Sequence, residues 1–290
     1  MTGYRPLTLG LRRLLFVAGG LVGLAGFQLF VLTDHTARYF AWTIHPGMTA
    51  AFLGAGYVSS IFVEVLAARE RDFARARIGL AGVLSFTVLT EIATLSHLGK
   101  FHFHEPLISA GLAAYAWLAI YTGVPVAMAV LLVGQLRRSG TDPPRTAPLP
   151  PWTLWLLRLQ AAFLVVLGVI LFVAPGRAAS MWPWALTPLT SQAVGAWLVG
   201  VGVGSAQASI EADLVRIRPG IVAYAVMAAL QLVSVARYRD DIQWGKPSAW
   251  YYLAFVVCML AVGVLGLLAL RRARKRAGAS IFGTARSSLW

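Results

Sequence analysis

The chain carries little charge for its size. Asp, Glu, Lys and Arg make up 12% of its 290 residues while hydrophobic types make up 58%, against the ~25% charge of an average soluble domain. So little polar surface cannot cover a water-exposed globule of this length, which excludes a soluble protein and leaves lipid as the solvent. Cysteine occurs once, as Cys258, which excludes an intrachain disulfide and any cysteine-based metal cluster. No Walker-type or dinucleotide glycine loop is present. The apolar runs hold no pair of histidines of the kind a membrane di-haem cytochrome needs. Gly202-Val-Gly-Ser205-Ala has no histidine after it to act as base, which excludes a serine-hydrolase elbow. Lysine is scarce too, three residues against abundant Arg, Ala and Gly, a usage that points to a bacterium with a GC-rich genome.

The formal net charge of +14 suggests nucleic acid only if the basic residues gather on one folded face. Here they fall between apolar runs, so no nucleic-acid partner is expected. The basic start (Arg5, Arg12, Arg13) and the run from Leu14 to Leu32 imitate a secretory signal. The run is longer than the usual ~7–15 residues and lacks a small-x-small cleavage site, so it reads as an uncleaved first helix.

With ~20 apolar residues needed per crossing, the chain divides into eight predicted spans: 12–33, 47–68, 78–98, 110–135, 152–174, 189–209, 220–237 and 250–270. The predicted fold class is an all-α integral membrane protein. Placing the N-terminus in the cytoplasm puts eighteen of the 25 basic residues on that side, as the positive-inside rule requires. Both termini are then cytoplasmic, and the expected location is the plasma (inner) membrane. Trp42, Trp152, Trp155, Trp182, Trp184, Trp244 and Trp250 fall near span ends, where an interfacial aromatic belt is expected.

The strongest internal signal is a repeat. Glu70, Asp72, Arg75, Arg77 and Gly79 recur as Glu211, Asp213, Arg216, Arg218 and Gly220 at a constant offset of 141. Upstream, Trp42 and Pro46 recur as Trp184 and Pro188 at 142, so a one-residue slip falls within the second helix; downstream, Phe103 and Pro106 return to 141 as Trp244 and Pro247. Agreement of acids, arginines and glycine in polar loops is hard to produce by chance. The expected organisation is two tandem four-helix repeats, 1–138 and 152–270, running in parallel through the membrane. A proline-rich linker, 139–151, extended and solvated, joins them, and a basic cytoplasmic tail occupies 271–290. Two four-helix halves resemble the architecture of haem A synthases, but the in-membrane histidines of that family have no counterpart here.

Polar residues inside spans cost a few kcal/mol at the bilayer centre unless they face a partner or water, so each is a candidate. Glu91 lies ~20 Å into the third span, near the middle. Glu64 and Arg158 lie nearer the cytoplasmic side and are placed to pair with each other. Gln192, Gln207 and Gln231 complete an expected polar seam between the halves. The repeated loop arginines can bind anionic lipid head groups, although local pairing with their own acids accounts for them more simply. All five histidines are in the first half. Of these, His45, His97, His102 and His104 are of a type that can hold a metal or a haem, but their spacing matches no established motif, and no cofactor is expected. Gly19-x-x-x-Gly23 and Ala196-x-x-x-Gly200-x-x-x-Gly204 are expected as packing seams within the bundle or between two copies.

The leading functional expectation is a small-solute or ion transporter or sensor with a site between the repeats. A non-catalytic subunit or scaffold of a membrane complex, and an outward-facing metal or haem protein or membrane enzyme, are the alternatives. Nothing marks a catalytic constellation.

Overall fold

A computed structural model describes residues 3–287. Eight long helices follow one another, with no strand among the described residues: α1 Leu9–Phe30, α2 Gly47–Ala68, α3 Leu80–Ser96, α4 Ile108–Leu136, α5 Pro151–Val173, α6 Pro188–Glu211, α7 Arg218–Arg237 and α8 Pro247–Ser287. Seven are long and apolar enough to cross a membrane. The exception is α3, whose 17 residues span about 25 Å at ~1.5 Å per residue, just short of a ~30 Å hydrocarbon core. The predicted spans agree with these helices to within three residues at every boundary but the last. There α8 continues through the stretch expected as a separate tail.

The helix boundaries have local causes. Pro188 is the first residue of α6, where a missing N–H costs nothing, and Thr187 and Thr190 cap each other's backbone in a capping box. Gly79 takes the left-handed conformation (φ 93°) that turns the chain into α3, a region glycine enters without steric cost.

Helices α2 and α6 form the centre, with 61% of their apolar windows buried, while α1, α4, α5 and α8 are at 22%. The outer four present large apolar side chains outward, among them Val17, Phe27, Leu112, Val130, Leu159 and Leu265. Such a surface is stable in lipid and not in water. The most extensive interfaces join α1 to α2 and α5 to α6, then α3 to α6 and α7 to α2. The third helix of each half therefore packs on the second helix of the other.

Close approach at these crossings depends on glycine. A Cβ on Gly54 would lie 2.6 Å from the Phe30 nitrogen, and one on Gly195 would lie 3.1 Å from the Phe172 nitrogen. A Cβ on Gly82 of α3 would lie 2.5 Å from the carbonyl oxygen of Gly200 on α6. Of the expected seams, Gly19 and Gly200 make close approaches, Gly23 is in ordinary contact with Ile61, and Gly204 faces open space.

The same backbone clasps occur in both halves. Leu7 donates to the Arg71 carbonyl and Phe73 to Arg5; likewise Leu149 donates to Ala212 and Leu214 to Ala147. At the other end His102 donates to the Ala41 carbonyl, and Gln243 to Pro183.

That other end is filled by aromatic rings. Phe40, Trp42 and Trp117 pack at 4.7–5.2 Å, and Trp182, Trp184 and Tyr252 at 5.1–6.4 Å. This corrects part of the expected aromatic belt: Trp42, Trp182 and Trp184 are core residues, with Trp184 fully buried and donating to Thr49 at 2.9 Å. Trp152, Trp155 and Trp250 are exposed as a belt requires, and Trp244 packs at a tilt against Trp250.

Candidate functional site

The repeated loops meet at the end of the bundle opposite the aromatic core. Glu211, almost fully buried, accepts from Arg77 Nε at 2.5 Å and Nη2 at 2.9 Å and from Arg216 at 3.2 Å. Asp142 lies 2.8 Å from Arg77 and 3.8 Å from Arg216. At the offset of 141 the reciprocal pair is Arg218 with Glu70, at 3.8 Å. Its hydrogen bond to Glu211 raises the pKa of the Arg77 guanidinium, outweighing the opposing effect of burial. Two of the loop pairs, Arg77 with Glu211 and Arg218 with Glu70, thus cross the halves. Two others, Arg75 with Asp72 at 3.9 Å and Arg216 with Glu211, are local.

The linker is extended but not free in solvent as expected. Asp142 joins the ion cluster, Pro143 accepts from Arg216, Arg145 caps the carbonyls of Ile210 and Glu211, and Ala147 donates to Asp213. Asp213 in turn accepts from the backbone of Val215 and Arg216.

Above this ionic layer, between the halves, lies a cavity of about 630 Å³ lined by all eight helices. That is within the ~300–1,000 Å³ of small-molecule sites. Its wall is mainly aliphatic, with Phe86, Tyr121 and Trp197 toward the aromatic core. Glu64 of α2 stands in this wall, 2% exposed, with no hydrogen-bond or ion-pair partner among the described residues.

The other half treats the corresponding position differently. The 141 offset relates Glu64 to Ser205, which accepts from Gln160 at 3.0 Å, while Gln160 accepts from Tyr224 at 2.9 Å. All three line the cavity. Their counterparts in the first half are Glu64, Ala18 and Val83, a carboxyl beside two apolar residues. The hydroxyls of Ser59 and Ser60 donate to the Gly56 carbonyl, Thr87 to Leu84 and Ser205 to Val201. What they turn to the cavity is acceptor oxygen.

No protein-family model, curated protein or solved structure matches this chain. The site therefore rests on its own residues.

Several predicted residues lie elsewhere. Glu91 is outside the cavity and accepts from Thr122 on α4 at 2.8 Å. Gln231 donates to the Phe52 carbonyl and accepts from Tyr252. Gln192 donates to Phe172 and Gln207 to Arg77. Each clasps a different neighbour, so the expected single polar seam does not form. Nor does the Glu64–Arg158 pair: Arg158 is exposed and lies over the Trp155 ring at 5.4 Å.

The histidines are likewise separate. Both ring nitrogens of His102 are engaged, at 2.9 Å with the Phe40 carbonyl and 3.0 Å with Thr43, and His97 Nδ1 is 3.0 Å from the Ala93 carbonyl. No three metal-ligating side chains converge among the described residues, and neither His45 nor His104 is brought to the others as a ligand set. Gln160, Ser205, Tyr224 and Trp197 were not anticipated from sequence. The one available signal was the offset of 142, which sets a polar Gln160 against Ala18.

Proposed function

We propose that this chain is a plasma-membrane protein of two parallel four-helix repeats, both termini cytoplasmic, that binds a small, largely apolar solute between the repeats and moves or senses it. The observation that carries this reading is the cavity: a ligand-sized space lined by both halves, as substrate sites of repeat-built transporters are lined by both repeats. It lies toward the arginine-rich loops and is backed by the aromatic core, so one side of the molecule is plugged and the other is held by ion pairs. The paired loop signatures, the twin backbone clasps and the exchange of third helices support the duplication. The bias of basic residues supports the orientation. Arg137, Arg138, Arg271 and Arg272 are exposed near the same end, which suits contact with anionic lipid.

Binding is tested with the neutral fluorescent probe N-phenyl-1-naphthylamine and full-length protein in phosphatidylcholine nanodiscs. A Cβ at Gly204 meets nothing within 4 Å and Gly204 lines the cavity, so Gly204→Phe fills it without disturbing a helix crossing. Saturable binding to wild type that is lost in Gly204→Phe, with thermal stability kept, is the expected result. Equal binding by both proteins refutes the reading.

A further inference from the structure

We infer that the solute is an amphiphile with a protonated amine, whose ammonium group pairs with Glu64 while its apolar body occupies the cavity. This rests on the binding reading above and names the chemistry of its ligand. A carboxylate in apolar surroundings costs several kcal/mol unless it is neutralised or paired. The second half meets the same burial with a neutral, mutually bonded set, Ser205, Gln160 and Tyr224. The first half leaves Glu64 facing the cavity beside Ala18 and Val83, so the missing partner has to come from within that space.

No arginine is placed to serve. Arg77 and Arg216 are held by Glu211 and Asp142, Arg12 donates to the Glu70 carbonyl, and Arg158 lies over Trp155. Four hydroxyls of the wall favour a donor as well. Ser59, Ser60, Thr87 and Ser205 present lone pairs because their hydrogens are engaged with backbone. The donors that remain are one phenolic hydrogen of the Tyr57–Tyr121 pair, one Gln160 amide hydrogen, the Thr153 hydroxyl and the indole N–H groups of Trp152 and Trp197. An anion would meet those few donors but be repelled by the Glu64 carboxylate. An ammonium meets a carboxylate, hydroxyl oxygens and the rings of Trp197, Phe86 and Tyr121, whose faces attract cations.

The test displaces N-phenyl-1-naphthylamine from the same nanodiscs with three ligands of one chain length: dodecylammonium, dodecanol and dodecanoate, each scored by its mole fraction in the lipid. The expected order is ammonium first, by about tenfold or more over the alcohol, with the carboxylate weakest. In Glu64→Gln the advantage of ammonium over alcohol disappears while the probe still binds; Glu64→Asp keeps it. Equal displacement by ammonium and alcohol in wild type overturns the inference and leaves the cavity as a neutral apolar site with a protonated Glu64. No cavity-dependent probe signal in wild type overturns both readings.

Discussion

Glu211 is the residue on which most charges converge, and removing it tests the ionic layer directly. Breaking a buried network by deleting one partner leaves the others charged and unpaired, at about 3–5 kcal/mol, whereas a long, partly exposed pair outside such a network is worth about 0–1 kcal/mol. Glu211→Gln is therefore expected to lower the thermal midpoint strongly in nanodiscs. Glu70→Gln, whose carboxyl stands 3.8 Å from Arg218, is expected to change it little despite occupying the matching position in the repeat. Similar midpoints for both would mean that the two loops share load equally. Residue types and offset were legible in these loops, but the partners were not. Arg77 meets Glu211 across 134 residues, and nothing local distinguishes that pairing from one within the loop. The same limit applied to the carboxyls. Depth along a helix can be counted from sequence and favoured Glu91. Which side of the helix faces a hydroxyl on a neighbour and which faces a cavity depends on packing, and that reversed the order in favour of Glu64.

At the scale of elements, hydropathy was sufficient to find the helices because lipid demands long apolar runs with their backbone bonded internally. It could not say which helix lies against which, since the apolar faces toward lipid and toward protein look alike in composition. Hence Trp42, Trp182 and Trp184, at span ends by position, belong to the core. Glycine spacing carried only part of the packing, because a seam needs a partner at the same height. Gly82 and Gly204 separate the two cases. Gly82 meets the backbone of α6, which cannot yield as a flexible side chain would, so Gly82→Leu is expected to drive α3 from α6 and cost about 1–3 kcal/mol or more. Gly204→Ala adds a methyl in open space and gains helix propensity worth roughly 0.5–1 kcal/mol. Thermal unfolding of the two variants should therefore shift in opposite directions. A parallel loss of stability would show that α6 tolerates no side chain anywhere along this face.

For the whole molecule, the arrangement of the halves fixes which loops share a side of the membrane. On the proposed topology, four helices per repeat return the chain to its starting side, which puts the loop after α3 and the loop after α5 together and the linker opposite them. Cys258 gives a clean background: it sits about 17 Å along α8 at ~1.5 Å per residue, exposed on the bundle's surface and so beyond the reach of a water-soluble reagent. In a Cys258→Ser background, Ile108→Cys and Met181→Cys, at positions 87% and 76% exposed, should react with a membrane-impermeant maleimide added to intact cells. Ser139→Cys, exposed in the linker, should react only after permeabilisation on the proposed orientation, which the positive-inside rule supports. The reversed pattern would invert the molecule. Labelling of Ile108→Cys but not Met181→Cys from outside would break the parallel relation, and with it the expectation that the ion cluster and the linker share the cytoplasmic face.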